Sequence, residues 1–96
     1  MTEHMDKGAL PGPAPGVRWV VDVGGVLVLR EEDGETMMLA YPRALVWDLA
    51  VRNRPWDEAV RLLVTVSDVP ALDSTEYVDE WIAEWRGGGW LVEAHG

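Results

Sequence analysis

From Val17 onward, apolar and polar positions alternate with a period of two. In Val17-Arg18-Trp19-Val20-Val21-Asp22-Val23, Trp19, Val21 and Val23 share one face and Arg18, Val20 and Asp22 the other, which is the pattern of a strand. Gly24-Gly25 permits the positive φ angles of a tight hairpin turn. Val26-Leu27-Val28-Leu29-Arg30 is then the returning strand. Glu31-Glu32-Asp33-Gly34 forms a second turn, with Gly34 suited to its left-handed position, and a third strand follows from Glu35 to Ala40. The pattern predicts a three-stranded antiparallel meander.

At Tyr41-Pro42 the period changes. Pro42 suits a first helical position, where its missing N–H costs nothing. A helix is predicted from Pro42 to Arg52, with Leu45, Val46 and Leu49 inward and Asn53 as a left-handed cap. Pro55 opens a second helix with Trp56, Ala59, Val60, Leu63 and Val64 at core spacing, and Val66 to Leu72 reads as a connector containing Pro70. Asp73 and Glu76 stand in capping-box spacing ahead of a third helix, whose apolar stripe is Tyr77, Val78, Trp81, Ile82 and Trp85. The helix ends near Arg86, Gly87-Gly88-Gly89 breaks it, and Trp90-Leu91-Val92 returns against the body. The order is βββααα: an α+β, winged helix-turn-helix-like domain.

If strand order follows the sequence, the third strand lies at an edge of the sheet, with Met37 and Leu39 on one face and Thr36, Met38 and Ala40 on the other. Proteins normally blunt an edge with charge or proline, and nothing between Thr36 and Ala40 does so. Two readings stand side by side: helices cover both faces, or the edge is a place where another strand is added. The third helix poses the same contest. Tyr77, Trp81 and Trp85 exceed what one side of a small core usually absorbs; Val78 and Ile82 are expected to be buried, with Trp81 or Tyr77 partly facing a groove.

Length and composition narrow the classes. Ninety-six residues, 48% of them hydrophobic, suit one domain with a single core. Residues 1–16, with Gly and Pro crowded between Pro11 and Gly16, read as a disordered lead-in, leaving residues 17–96 as the domain. There is no cysteine, so disulfides, thiolate metal sites and a Cys nucleophile are excluded together. The N-terminus lacks the basic flank and apolar core of a signal peptide. The most apolar run, Trp19 to Leu29, is far short of the roughly 20 residues that a membrane span needs, so no membrane partner is expected and the expected compartment is the cytoplasm. With 17 acidic and 8 basic residues the formal charge is −9. Nucleic-acid affinity comes largely from Lys and Arg displacing counterions, so a nucleic-acid partner is not expected.

Candidate chemistry is sparse. His4 and His95 sit near opposite ends of the chain without apolar patterning around them, and Ser67 and Ser74 have no structured His neighbour to activate them. Glu31, Glu32 and Asp33 lack the spaced oxygen ligands of a calcium loop and read as a solvated turn. Glu76, Asp79, Glu80 and Glu84 form the polar side of the third helix: a solvated face, or a docking surface for a basic partner. Neither glycine cluster carries a phosphate-loop motif. No catalytic residue, metal ligand or cofactor is expected, and the chain is not expected to be an enzyme.

Four stretches together carry a resemblance: Val26-Leu27-Val28-Leu29 with the acidic turn ending in Gly34; Met38-Leu39-Ala40-Tyr41-Pro42-Arg43-Ala44-Leu45-Val46-Trp47-Asp48-Leu49; the helix Trp56 to Val64; and Val78-Asp79-Glu80-Trp81-Ile82 with Gly89-Trp90-Leu91. On them residues 17–92 resemble the PqqD-like family, the small proteins or domains called RiPP precursor peptide recognition elements. Family members often carry Asn followed two residues later by Ser or Thr at the strand-to-helix junction, and Gly-x-Ser between the first two helices. This chain has Ala40, Pro42 and Asn53-Arg54-Pro55 there.

The resemblance implies that the leader segment of a ribosomal precursor peptide adds as a strand beside the third strand and packs against the third helix. Carried onto this sequence, the backbone of Thr36, Met37, Met38 and Leu39 would pair with the leader. Tyr77, Val78, Trp81 and Trp85 would supply pockets, and Arg43 and Arg54 would be the nearest residues to hold an acidic leader residue. The implied partners are the leader peptide and a modifying enzyme, either a radical SAM enzyme or a peptidase or cyclase, in natural-product or cofactor biosynthesis. An exposed strand edge can also pair with a second copy in a homodimer. A winged-helix transcription regulator has the same element order, but its third helix needs basic or amide residues on the exposed face, and here those residues are largely acidic.

Overall fold

The computed structural model describes residues 8–93. Five strands and three helices follow one another: β1 (Gly12–Pro13), β2 (Val17–Asp22), β3 (Gly25–Arg30), β4 (Glu35–Ala40), α1 (Arg43–Val51), α2 (Trp56–Ser67), α3 (Ala71–Gly87) and β5 (Leu91–Val92). The fold is α+β, a three-stranded antiparallel sheet ordered β2-β3-β4 followed by three helices. Register is one-to-one throughout, from Val17 opposite Arg30 to Asp22 opposite Gly25, and from Gly25 opposite Ala40 to Arg30 opposite Glu35. The inward row of this meander, Val17, Val26, Val28 and Leu39, is buried, so the period-two pattern becomes one wall of the core.

The two hairpin glycines act differently. Gly34 takes the left-handed conformation foreseen for it, with φ +74°. Gly25, expected in the first turn, is instead the first residue of β3, and the turn is Val23-Gly24. It does take a positive φ, +148°, and it also needs space, since a Cβ there would lie 2.0 Å from the Leu39 carbonyl oxygen.

Three tryptophans pin the helices to the sheet. Trp47 on α1 lies edge-on to Trp19 of β2, centroids 6.1 Å apart, and to Trp85 of α3 at 5.5 Å. Trp47 and Trp85 are fully enclosed, and around them pack Ala44, Val46, Leu49, Ala59, Leu63, Val78 and Ile82. Leu45, expected inward, is only half-buried; Trp47 is the central residue of α1.

The helix boundaries shift for a common reason. Pro42, Pro55 and Pro70 each stand just outside a helix, at the N-cap. α2 therefore runs on to Ser67 and ends at Asp68, a left-handed cap with φ +55°, and α3 begins at Ala71, ahead of the Asp73/Glu76 pair expected to start it. No side-chain cap bond forms at Pro70. The buried Ser74 hydroxyl donates to the Val69 carbonyl at 3.2 Å and fastens the start of the helix. Asn53 does take the left-handed conformation, φ +51°, and its amide donates to the Leu10 carbonyl at 3.0 Å.

That last bond marks the main departure from the sequence reading. Of the expected lead-in, residues 1–7, including His4, lie outside the described residues, as does His95 at the other end. From residue 8 the chain is packed. Leu10 is fully buried, its amide bonds the Arg54 carbonyl at 2.8 Å, and the Trp56 amide bonds the Gly8 carbonyl at 3.0 Å. β1 then pairs antiparallel with β5, Gly12 opposite Val92 and Pro13 opposite Leu91. Leu10 and Leu91 are both part of the buried core.

Candidate peptide-binding edge

The backbone of β4 is the first component. The Glu31 amide bonds the Gly16 carbonyl at 2.9 Å, so the even residues of β2 turn their main-chain groups toward β3. Antiparallel ladders alternate, and with a bulge-free register the pattern propagates across the sheet. Gly25, Leu27 and Leu29 face β2, Val26, Val28 and Arg30 face β4, and Glu35, Met37 and Leu39 of β4 face back toward β3. Thr36, Met38 and Ala40 therefore present their N–H and C=O groups at the edge of the sheet. Of the four residues expected to pair with an added strand, Thr36 and Met38 have the free main chain; Met37 and Leu39 spend theirs inside the sheet.

Side chains alternate the other way. Met37 is half-buried and Leu39 buried on the core face, while Thr36 is exposed and Met38 is 64% exposed on the outer face.

One flank of α3 supplies the second component. Residues 77, 81 and 84 fall at i, i+4 and i+7 and form a single ridge. Tyr77 stacks on Trp81, centroids 5.7 Å apart and planes 18° from parallel. Arg43, at the start of α1 just beyond the end of β4, lies with its guanidinium 5.3 Å from the Trp81 ring centroid and 3.8 Å from a Glu84 carboxylate oxygen. A column of Tyr77, Trp81 and Arg43 thus ties the end of β4 to α3, its planar faces suited to apolar or aromatic side chains.

The expected site residues divide cleanly. Thr36, Met38, Arg43 and Tyr77 are accessible, and Met37 and Trp81 lie at the boundary, Trp81 being 9% exposed beneath its neighbours. Tyr77, at 44% exposure, is the aromatic that faces solvent. Val78, buried as its place on the stripe predicts, and Trp85 are enclosed in the core together with Leu39, although the resemblance implies both as pockets. They are correctly placed on the stripe, but they set the rotation of α3 and line no surface. Arg54 stands in the α1–α2 connector, bonded to Glu58 at 2.8 Å. Glu84 is, in the sequence reading, part of the polar side of the third helix, a solvated face or a docking surface for a basic partner; its position seven residues beyond Tyr77 is the clue that puts it on the ridge.

Elsewhere several acidic groups are held in ion pairs. Asp33 of the acidic turn accepts from Arg30 and from the Glu35 amide, and the hydrogen bond from Arg30 is the main cause that holds its carboxyl below the ordinary range. Glu31 pairs with Arg18 at 2.5 Å. Among the described residues no cluster of three or more His, Asp or Glu could hold a metal, and no helix is long and apolar enough to cross a membrane.

With this geometry in place, comparison with solved structures gives a match. The chain superposes on a structure described as lasso peptide synthetase B1 complexed with the leader peptide, with a TM-score of 0.77 over 83% of this chain and 94% of that one, at 15% identity. The two share a fold. No protein-family model matches the chain, and no curated protein matches it in sequence.

Proposed function

We propose that this protein binds the leader segment of a ribosomally synthesised precursor peptide by strand addition at β4 and presents it to the enzyme that modifies the core. The observation that carries the reading is the unblunted β4 edge, with the free main chain of Thr36 and Met38, beside the Tyr77–Trp81–Arg43 column. The PqqD-like residue pattern and the fold shared with a synthetase component that binds a leader peptide both support it. Main-chain bonds to an added strand give affinity that tolerates sequence change, and alternate leader side chains meeting α3 give selectivity.

The role is non-catalytic. Holding leader and enzyme together raises the effective concentration of the core peptide at an active site elsewhere. The partner enzyme is a radical SAM enzyme, a peptidase or a cyclase, and the setting is cytoplasmic natural-product or cofactor biosynthesis. Glu76, Glu80 and Glu84 are exposed along α3, so a DNA backbone approaching that helix meets like charge.

The test is a titration with a synthetic leader peptide, read by two-dimensional NMR. Saturable amide shifts on Thr36, Met38, Ala40 and the Tyr77–Glu84 ridge are expected. Shifts confined to α2, or no binding, would overturn the proposal.

A further inference from the structure

The sheet has a second edge, and it is self-complementary. Along β2, Val20 is 65% and Val21 63% exposed, and Val23 beyond it 95%. A groove lined by Val17, Arg18, Trp19 and Val20 opens beside the strand. By the alternation that turns Gly16, Arg18, Val20 and Asp22 toward β3, the main-chain groups of Trp19 and Val21 point outward. The Val17 amide is taken by the Ala14 carbonyl at 3.1 Å and the Val23 amide by the Asp22 carboxylate at 2.6 Å, so the free stretch is Trp19 to Val21.

We propose that a second copy of this chain pairs there, β2 against β2 of its partner, antiparallel about a two-fold axis at Val20. Only odd residues can exchange hydrogen bonds across this edge, which restricts the registers. With Val20 at the axis, Trp19 faces Val21 of the other copy, giving roughly four main-chain hydrogen bonds. Arg18, which through Nε pairs with Glu31 of its own chain while remaining 74% exposed, falls opposite the other copy's Asp22, twice, in the closely spaced non-bonded pairs where side chains interact best. The neighbouring allowed registers are worse. Centring on Trp19 or Val21 sets Arg18 or Asp22 against Val20, and centring on Arg18 or Asp22 sets like charges face to face.

The chosen register also brings Trp19 against the exposed Val21 on the inner face and Val20 against Val20 on the outer. β4 has no such property: Glu35 is its one charged residue. The dimer would therefore join two sheets through β2 and leave both β4 edges open.

Sedimentation equilibrium on the purified chain tests this, with circular dichroism to confirm folding. A concentration-dependent dimer is expected. Arg18→Asp should raise the dimer dissociation constant by about tenfold or more by replacing two attractions with two repulsions, and adding Asp22→Arg should restore it. Val21→Pro removes an outward amide without touching the β2–β3 ladder and should yield a folded monomer. A wild-type chain that stays monomeric at its solubility limit, or a double variant no better than Arg18→Asp, would overturn the proposal.

Discussion

Arg30 shows how much one side chain can fasten. Its guanidinium grips Asp33 at 2.9 and 3.1 Å, lies 4.4 Å from the Trp90 ring centroid and donates to the Gly88 carbonyl, so it joins the β3–β4 turn to the chain leaving α3. The pair holds the Asp33 carboxyl low and the Arg30 guanidinium high. A carboxylate with a depressed folded pKa contributes stability above its ordinary value, and loses it as pH falls through the folded one. Carbon-13 titration should therefore find Asp33 protonating below the ordinary carboxylate range, moving up toward it in Arg30→Gln. A second residue-level prediction concerns Trp47. Among the described residues neither its indole N–H nor that of Trp85 finds a hydrogen-bond partner. Trp47→Phe removes a buried donor that gains nothing from folding, whereas Trp47→Ala opens a cavity at the centre of the core. Urea unfolding should show a loss of about 3–5 kcal/mol for the alanine variant and a much smaller one for phenylalanine.

At the scale of elements, β4 makes two adjacent positions behave oppositely. Met38 turns its amide outward and Met37 turns its amide into the ladder, so Met38→Pro should leave the fold intact while weakening leader binding about tenfold or more. Met37→Pro should destabilise the sheet itself. Calorimetry with the leader peptide and urea midpoints together check the contrast. On α3, Tyr77→Ala should cost about 1–2 kcal/mol of binding with a smaller change in stability, since the residue is 44% exposed and packs on the outside of Trp81. Strands β2 to β4 were legible because alternation in Val17–Ala40 is set by burial on one face alone. The α3 stripe was legible too, but which of its members meets solvent depends on how Trp47 and Trp85 lock the helix. That choice is made by tertiary packing, and so Val78 and Trp85 read as pockets. The starts at Pro42 and Pro55 were legible to within a residue, whereas the start of α3 was misplaced because a local capping box at Asp73 competes with Pro70, and the proline wins by restricting the backbone before it.

For the molecule as a whole, the unforeseen feature is the pairing of β1 with β5. Two-residue strands made of Gly-Pro and Leu-Val carry no periodicity, and Leu10 stands alone among small and polar residues, so nothing local distinguished residues 8–16 from a lead-in. Leu10→Ala should nonetheless destabilise the domain by about 2–5 kcal/mol in urea unfolding, because the residue is fully enclosed.

Gly12 opposite Val92 also means that the segment leaving α3 closes over the segment that enters past Arg54 and Trp56. Two stretches far apart in sequence thus clasp one another, and each holds the other in place. Trimming either one should loosen both, so the domain tolerates cuts and fusions at this clasp less well than at the tip of the β2–β3 hairpin, where Val23 and Gly24 are exposed.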